Sequence, residues 1–206
     1  MAMEDDWFFD KDVEVEVSVG GNLPHWHQEG KLQFVTFHLA DSLPQSVIEE
    51  KKRLKASFLE LNPEPWSPSV ARRYNYLIGE RTERLLDGEH GSCVLRQKEV
   101  RDVVASALRF LDSKRYDLIA YVIMPNHVHA IFCPYGGEST ARILHSIKSF
   151  SAHKINSMLN LSGELWEREA FDRLIRNEHD LKLKMAYIRD NPRNLTSDQF
   201  ELYLKE

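Results

Sequence analysis

The chain has 206 residues, 42% hydrophobic and 29% charged, with 9 Gly and 8 Pro, which supplies enough apolar surface for a sizeable core and excludes a disordered or collagen-like chain. No apolar run approaches the roughly 20 residues a membrane helix needs, and the N-terminus lacks the basic-then-apolar layout of a secretory signal, so a cytoplasmic protein is expected. The net charge of −5 argues against a uniformly basic, polyanion-binding surface, but the charge is uneven: basic residues gather between Arg142 and Arg193, acidic ones near the N-terminus and around residues 49 to 90.

In chain order, residues 1–21 read as an acidic, loosely held tail that contributes little chemistry, and 22–206 as a single domain. Residues 31–39 (KLQFVTFHL) are β-branched and aromatic and end in Asp41-Ser42-Leu43-Pro44, which predicts a strand followed by a turn. A helix is expected over 45–61, broken by the proline-rich run from Asn62 to Pro68, and a second over 74–86, closed by Asp87-Gly88. These form a helical insertion of about 45–95 after the first strand. The stripe Val100, Val104, Leu108 and Leu111 predicts a sheet-covering helix over 98–111.

Two apolar runs, 116–124 (YDLIAYVIM) and 127–133 (HVHAIFC), flank Pro125-Asn126 and predict a β-hairpin. A helix follows over 139–159 with Ile143, Leu144, Ile147, Phe150, Ile155 and Leu159 inward, then a short strand near 171–175. A last helix runs from Glu178 to about Asp190, capped by Asn177 and ended by Asn191-Pro192, because a residue before proline is driven out of the α region. Without the insertion the order is β, α, β, β, α, β, α: a ferredoxin-like βαββαβ α+β fold, an antiparallel sheet with helices on one face and an extra C-terminal helix. Cys93 and Cys133 are far apart and have no neighbouring thiols, which suggests neither a disulfide framework nor a thiolate metal knuckle.

His127 and His129 stand one residue apart on a predicted strand, so both imidazoles leave the same face. The pattern is common, but here its flanks are wholly apolar, and two histidines buried among them must find partners. A divalent cation is one such partner. His25, His38, His145, His153 and His179 are scattered and read as surface or core histidines. Trp166 and Phe171 read first as core residues and second as platforms for unpaired bases.

The string Tyr121-Val122-Ile123-Met124-Pro125-Asn126-His127-Val128-His129-Ala130-Ile131-Phe132 resembles the signature of the HUH single-tyrosine transposases, in particular their REP-associated branch. Further agreement comes from Leu23-Pro24-His25-Trp26, Ile147-Lys148-Ser149-Phe150, Leu165-Trp166 with Phe171-Asp172-Arg173, and Tyr187-Ile188-Arg189-Asp190-Asn191-Pro192, so the resemblance spans residues 22 to about 195. It implies an enzyme that nicks and rejoins single-stranded or hairpin DNA through a 5′-phosphotyrosine. Tyr187 would be the nucleophile, and Mg²⁺ or Mn²⁺ would be held by His127, His129 and Asn191, with no nucleotide cofactor. Tyr187 and Asn191, four apart on a helix, would share one face; without the resemblance, Tyr187 reads as a helix tyrosine packed on the sheet.

His145 and Lys148, three apart on a helix, and Arg173 and Arg176 are candidate DNA contacts, the arginines otherwise being solvated or paired with Asp172. Many enzymes of this type are homodimers in which the tyrosine helix of one chain completes the other's site, whereas the REP-associated branch works largely as monomers. The insertion favours the monomer. Competing readings are a catalytically silent hairpin-DNA-binding protein derived from a transposase and an RNA-binding module of similar topology, for which the aromatic strand motif is missing.

Overall fold

The computed structural model describes residues 5–13, 15–18, 25–63, 66–86 and 88–205. In chain order it contains β1 (Glu16–Ser18), β2 (His25–His27), β3 (Gln33–His38), α1 (Gln45–Leu61), α2 (Pro68–Tyr74), α3 (Arg81–Leu86), α4 (Lys98–Leu111), β4 (Tyr116–Ile123), β5 (His127–Pro134), α5 (Thr140–Leu159), β6 (Phe171–Leu174), α6 (Glu178–Asp190) and β7 (Glu201–Leu204). Among the described residues β1 and β2 pair with each other, and the main sheet has five antiparallel strands in the order β6-β3-β5-β4-β7. Its first four strands reproduce the ferredoxin-like arrangement, and β7 extends the edge beside β4.

The sheet is buried on both sides. On one face Val35, Phe37, Val128, Ala130 and Phe132 meet Val100, Val104 and Leu108 of α4 and Ile143, Ile147 and Ile155 of α5. On the other, Phe34, Ile119, Val122 and Ile131 meet Leu181 and Ile188 of α6. Each Val, Leu, Ile or Phe among them contributes about 1.5–3 kcal/mol when fully buried. The two covering helices therefore share one face, as expected, and the extra C-terminal helix lies alone on the opposite one. Ser139 caps α5 by accepting from the Arg142 amide, and Asn177 caps α6 by accepting from the Asp180 amide at 2.9 Å.

Several sequence expectations are corrected. Part of the stretch read as a loose tail is packed: Phe8 is buried under the α6 face, the Phe9 amide donates to the Ile175 carbonyl, and the Leu32 amide donates to the Trp7 carbonyl. The rest of that tail at residues 1–4, 14 and 19–21 lies outside the described residues, as do Leu23 and Pro24 of the resemblance, Glu64 and Pro65 of the expected break, and Asp87 of the expected stop. The second helix of the insertion begins at Pro68, earlier than position 74, and passes through a π-helical turn, Asn75–Glu80, into α3. Phe150 is 56% exposed, and Ser151 takes the inward position, accepting from Trp166 Nε1 at 3.0 Å. The insertion carries its own small core of Phe58, Tyr74 and Ile78, backed by Trp66.

Candidate active site

The alternation of β5 sends Val128, Ala130 and Phe132 to the α4/α5 face and His127, His129 and Ile131 to the α6 face. Both histidines are essentially inaccessible, at 1% and 0% exposure, and their rings lie 4.7 Å apart, centroid to centroid. On the neighbouring strand β3, His38 pairs with His127 and Thr36 with His129. Thr36 Oγ1 is 2.8 Å from Nδ1 of His129, and Phe34 stacks on that ring at 5.6 Å.

The tautomer of His127 follows from its neighbour. Asn126 donates through Nδ2 to the carbonyls of Leu86 and His90, both at 3.2 Å, which turns its Oδ1 toward His127 Nδ1 at 2.7 Å. That oxygen can only accept, so Nδ1 carries the proton and Nε2 keeps its lone pair. The Nε2 atoms of both histidines are buried, and neither makes a hydrogen bond of normal geometry. Burial pushes the His127 imidazole down to about 3, helped by the charge of His38 and opposed by the Asn191 amide. His129 is also held well below the ordinary histidine value by burial, then by His127 and Lys184. Both rings are therefore neutral at physiological pH, the form that ligates metal.

Helix α6 brings the phenol to this pair. The half-buried Tyr187 ring meets His129 edge-on, 5.0 Å between centroids at 67°, and Phe34 at 6.1 Å. The Lys184 Nζ lies 4.1 Å from the centroid of Phe34 and 5.3 Å from that of Tyr187. Asn191 accompanies them because the backbone does not leave the α region before Pro192, contrary to the sequence expectation: it sits at φ −56°, ψ −46°, donates its amide to the Tyr187 carbonyl, and opens a 3₁₀ turn, Asn191–Asn194. The pre-proline clash is a preference that helical packing overrides here. His127, His129, Tyr187 and Asn191 thus converge within one chain.

The expected DNA contacts do not gather there. His145 is exposed on α5, on the opposite face of the sheet. The Lys148 ammonium donates to the carbonyls of Glu167 and Arg168 at 2.6 and 2.8 Å, tying α5 to the loop before β6. Arg173 is on the α6 face but forks onto Asp180 at 2.8 and 2.9 Å, where Asp172 had been the expected partner. Arg176 is exposed, and its backbone amide donates to the same carboxylate at 3.1 Å. Trp166 and Phe171 are core residues, so neither offers a stacking platform. Sequence reasoning passed over Thr36, His38, Asn126, Phe34 and Lys184. Period-two spacing on β3 could have flagged the first two, and helical spacing from Tyr187 the last.

A divalent cation fits this donor set. The Nε2 atoms of both imidazoles are buried, His127 interacts with the Asn191 amide, and His129 presents the same lone pair when its Nδ1 donates to Thr36 Oγ1, so one metal would satisfy both nitrogens. Among the described residues no group of three or more His, Cys, Asp or Glu side chains is arranged for a metal, so a third protein donor here would have to be of another kind, such as the Asn191 amide oxygen.

Residues 92–191, from the end of the insertion to Asn191, match the family model described as transposase IS200 like. This stretch, 100 of the 206 residues, is similar to the IS200-like transposases. The matched stretch contains the histidine pair and the whole of the Tyr187 helix, ending at its C-cap Asn191. A solved structure of a REP-associated tyrosine transposase bound to a REP hairpin is similar at 16% identity and a TM-score of 0.45, covering 82% of this chain and 71% of that one. No protein of curated function matches the chain.

Proposed function

We propose that the chain is a metal-dependent DNA strand transferase that nicks and rejoins single-stranded DNA beside hairpins through Tyr187. One observation carries this reading: two buried imidazole Nε2 atoms that lack normal hydrogen bonds lie beside a phenol from the last helix. A helix tyrosine packed for stability alone would not need two such nitrogens beneath it. The family match of residues 92–191 supports transposition chemistry, and the choice of hairpin DNA rests on the sequence resemblance.

His127, His129 and Asn191 would hold Mg²⁺ or Mn²⁺, which supplies Lewis-acid polarisation of a phosphate oxygen when bound. Asn126 fixes the His127 tautomer, and Thr36 orients His129. Tyr187 Oη forms a bond to the scissile phosphorus and the P–O3′ bond breaks, leaving a 5′-phosphotyrosine and a free 3′ hydroxyl. The phenolic proton departs to solvent, and the 3′ oxygen takes one up. Rejoining is the reverse attack by a 3′ hydroxyl, so the phosphodiester energy is conserved and no nucleotide is consumed. Because the phenol reaches the histidines of its own chain, a monomer can act without exchanging helices.

The test is to incubate the protein and Mn²⁺ with a labelled DNA hairpin bearing single-stranded flanks and to look for a denaturation-resistant protein–DNA adduct. The adduct should form with the wild type and be absent with Tyr187→Phe. Tight hairpin binding with no adduct under any metal would instead identify the silent DNA-binding protein.

A further inference from the structure

Asn126 is wholly buried, and its amide nitrogen donates to two carbonyls of the insertion: Leu86, the last residue of α3, and His90, in the loop that follows. That loop is fastened to the chain just beyond β3. The Ser92 amide donates to Asp41 Oδ2 at 2.7 Å. Beside it Gly91, at φ +88°, passes so close to Asp41 that a Cβ there would stand 2.4 Å from the Asp41 carbonyl oxygen. Glycine alone combines the left-handed backbone with the missing side chain that this approach needs. The hairpin turn itself is held from both neighbours, the Leu39 amide donating to the Asn126 carbonyl at 2.9 Å and the Leu95 amide to the Pro125 carbonyl at 3.2 Å. One line of contacts therefore runs from Asp41 through Gly91 and His90 to Asn126, and from Asn126 to Nδ1 of His127.

Asp41 and Gly91 are both exposed, and exposed loop positions are ordinarily replaced at little cost. These two hold the loop from which Asn126 takes its orientation. Resting on the reading of His127 as a metal ligand, we propose that Asp41 and Gly91 are positioning residues for the metal site. They fix where the His90 carbonyl stands, that carbonyl helps to turn the Asn126 amide, and the amide oxygen keeps the proton on Nδ1 of His127, which leaves Nε2 for the cation. A loop that drifts from Asp41 takes the His90 carbonyl with it. Asn126 then loses one of its two anchors, and the imidazole is no longer confined to the tautomer whose Nε2 accepts a metal. The end of the insertion is in this sense part of the site, although it supplies no ligand.

The measurements are Mn²⁺ affinity by titration calorimetry and, on the metal-free full-length chain, the protonation of the His127 ring nitrogens read from long-range proton–nitrogen NMR spectra. Asp41→Ala removes the acceptor of the Ser92 amide, and Gly91→Ala forces the loop away from the Asp41 backbone. Each should lower Mn²⁺ affinity about tenfold, the lower end for groups that orient a ligand, and each should turn the Nδ1-protonated His127 signal into a mixture of tautomers. Asp41→Asn still offers an oxygen to Ser92 and should keep both readouts at their wild-type values. A role in stability alone would lower the urea midpoint of Asp41→Ala and Gly91→Ala while leaving the affinity per folded molecule and the His127 signal unmoved. That result overturns the proposal, as does an equal loss in Asp41→Asn. If the wild type binds no Mn²⁺ while the tautomer shifts in Asp41→Ala, the metal reading fails and the positioning of His127 stands. If the wild type binds Mn²⁺ and the tautomer does not shift, the reverse holds.

Discussion

The two faces of β5 are built from one eight-residue strand yet have opposite properties. Val128, Ala130 and Phe132 point into an apolar layer closed by α4 and α5, where burial of apolar surface stabilises the fold. His127 and His129 point the other way, into a layer where apolar packing is interrupted by imidazoles, a phenol and an ammonium. Buried nitrogens without good hydrogen bonds cost stability. A sheet that has already secured its core on one side can tolerate that cost on the other. The alternation of side chains thus separates what holds this protein together from what it is proposed to do.

The separation can be broken deliberately. The largest expected effect is on chemistry: Tyr187→Phe should abolish the covalent adduct while urea unfolding shifts by no more than about 1 kcal/mol, because only a hydroxyl is removed from a half-buried ring. On the opposite face, Phe132→Ala should cost about 3–5 kcal/mol in urea unfolding and leave adduct formation per folded molecule unchanged. If that variant lost chemistry in proportion to stability, the two faces would not be independent. Asn126→Leu removes the acceptor that sets the His127 tautomer and should weaken Mn²⁺ binding, read by titration calorimetry, by about 10–100-fold. Thr36→Val leaves His129 Nδ1 without its partner, and about a tenfold loss in the same titration is expected, at the lower end of such effects. Equal Mn²⁺ affinity in both variants and the wild type would show that these hydrogen bonds do not orient the ligands.

Much of the fold could be read from the chain because its elements carry strong periodic signals. The runs around Pro125-Asn126 give the central hairpin, and the stripe from Val100 to Leu108 gives α4. The strand β7 was not foreseen: at four residues, Glu201–Leu204, it is too short to show a period, and its pairing with β4 comes from tertiary contact. The helix start at Pro68 was hidden by a proline-rich run read as a breaker, although proline suits the first turn of a helix. In the site, the histidine pair and tyrosine were legible from spacing and resemblance. Asn126 was not, because its role depends on the carbonyls of Leu86 and His90; period-two spacing could put Thr36 and His38 on one face of β3, but their pairing with the histidines comes from strand register. Lys148 was misread for a similar reason, since its spacing suggests a free basic face while the fold gives its ammonium two carbonyls.

The role of Tyr187 as a metal-dependent nucleophile is tested most directly by mapping the adduct by peptide mass spectrometry, using a hairpin DNA substrate, with and without Mn²⁺, for the wild type and for the His127→Ala/His129→Ala double variant. A nucleotide-bearing peptide at Tyr187 is expected only in the wild type with metal. Nicking by the double variant in chelator, or an adduct on a residue other than Tyr187, would contradict it.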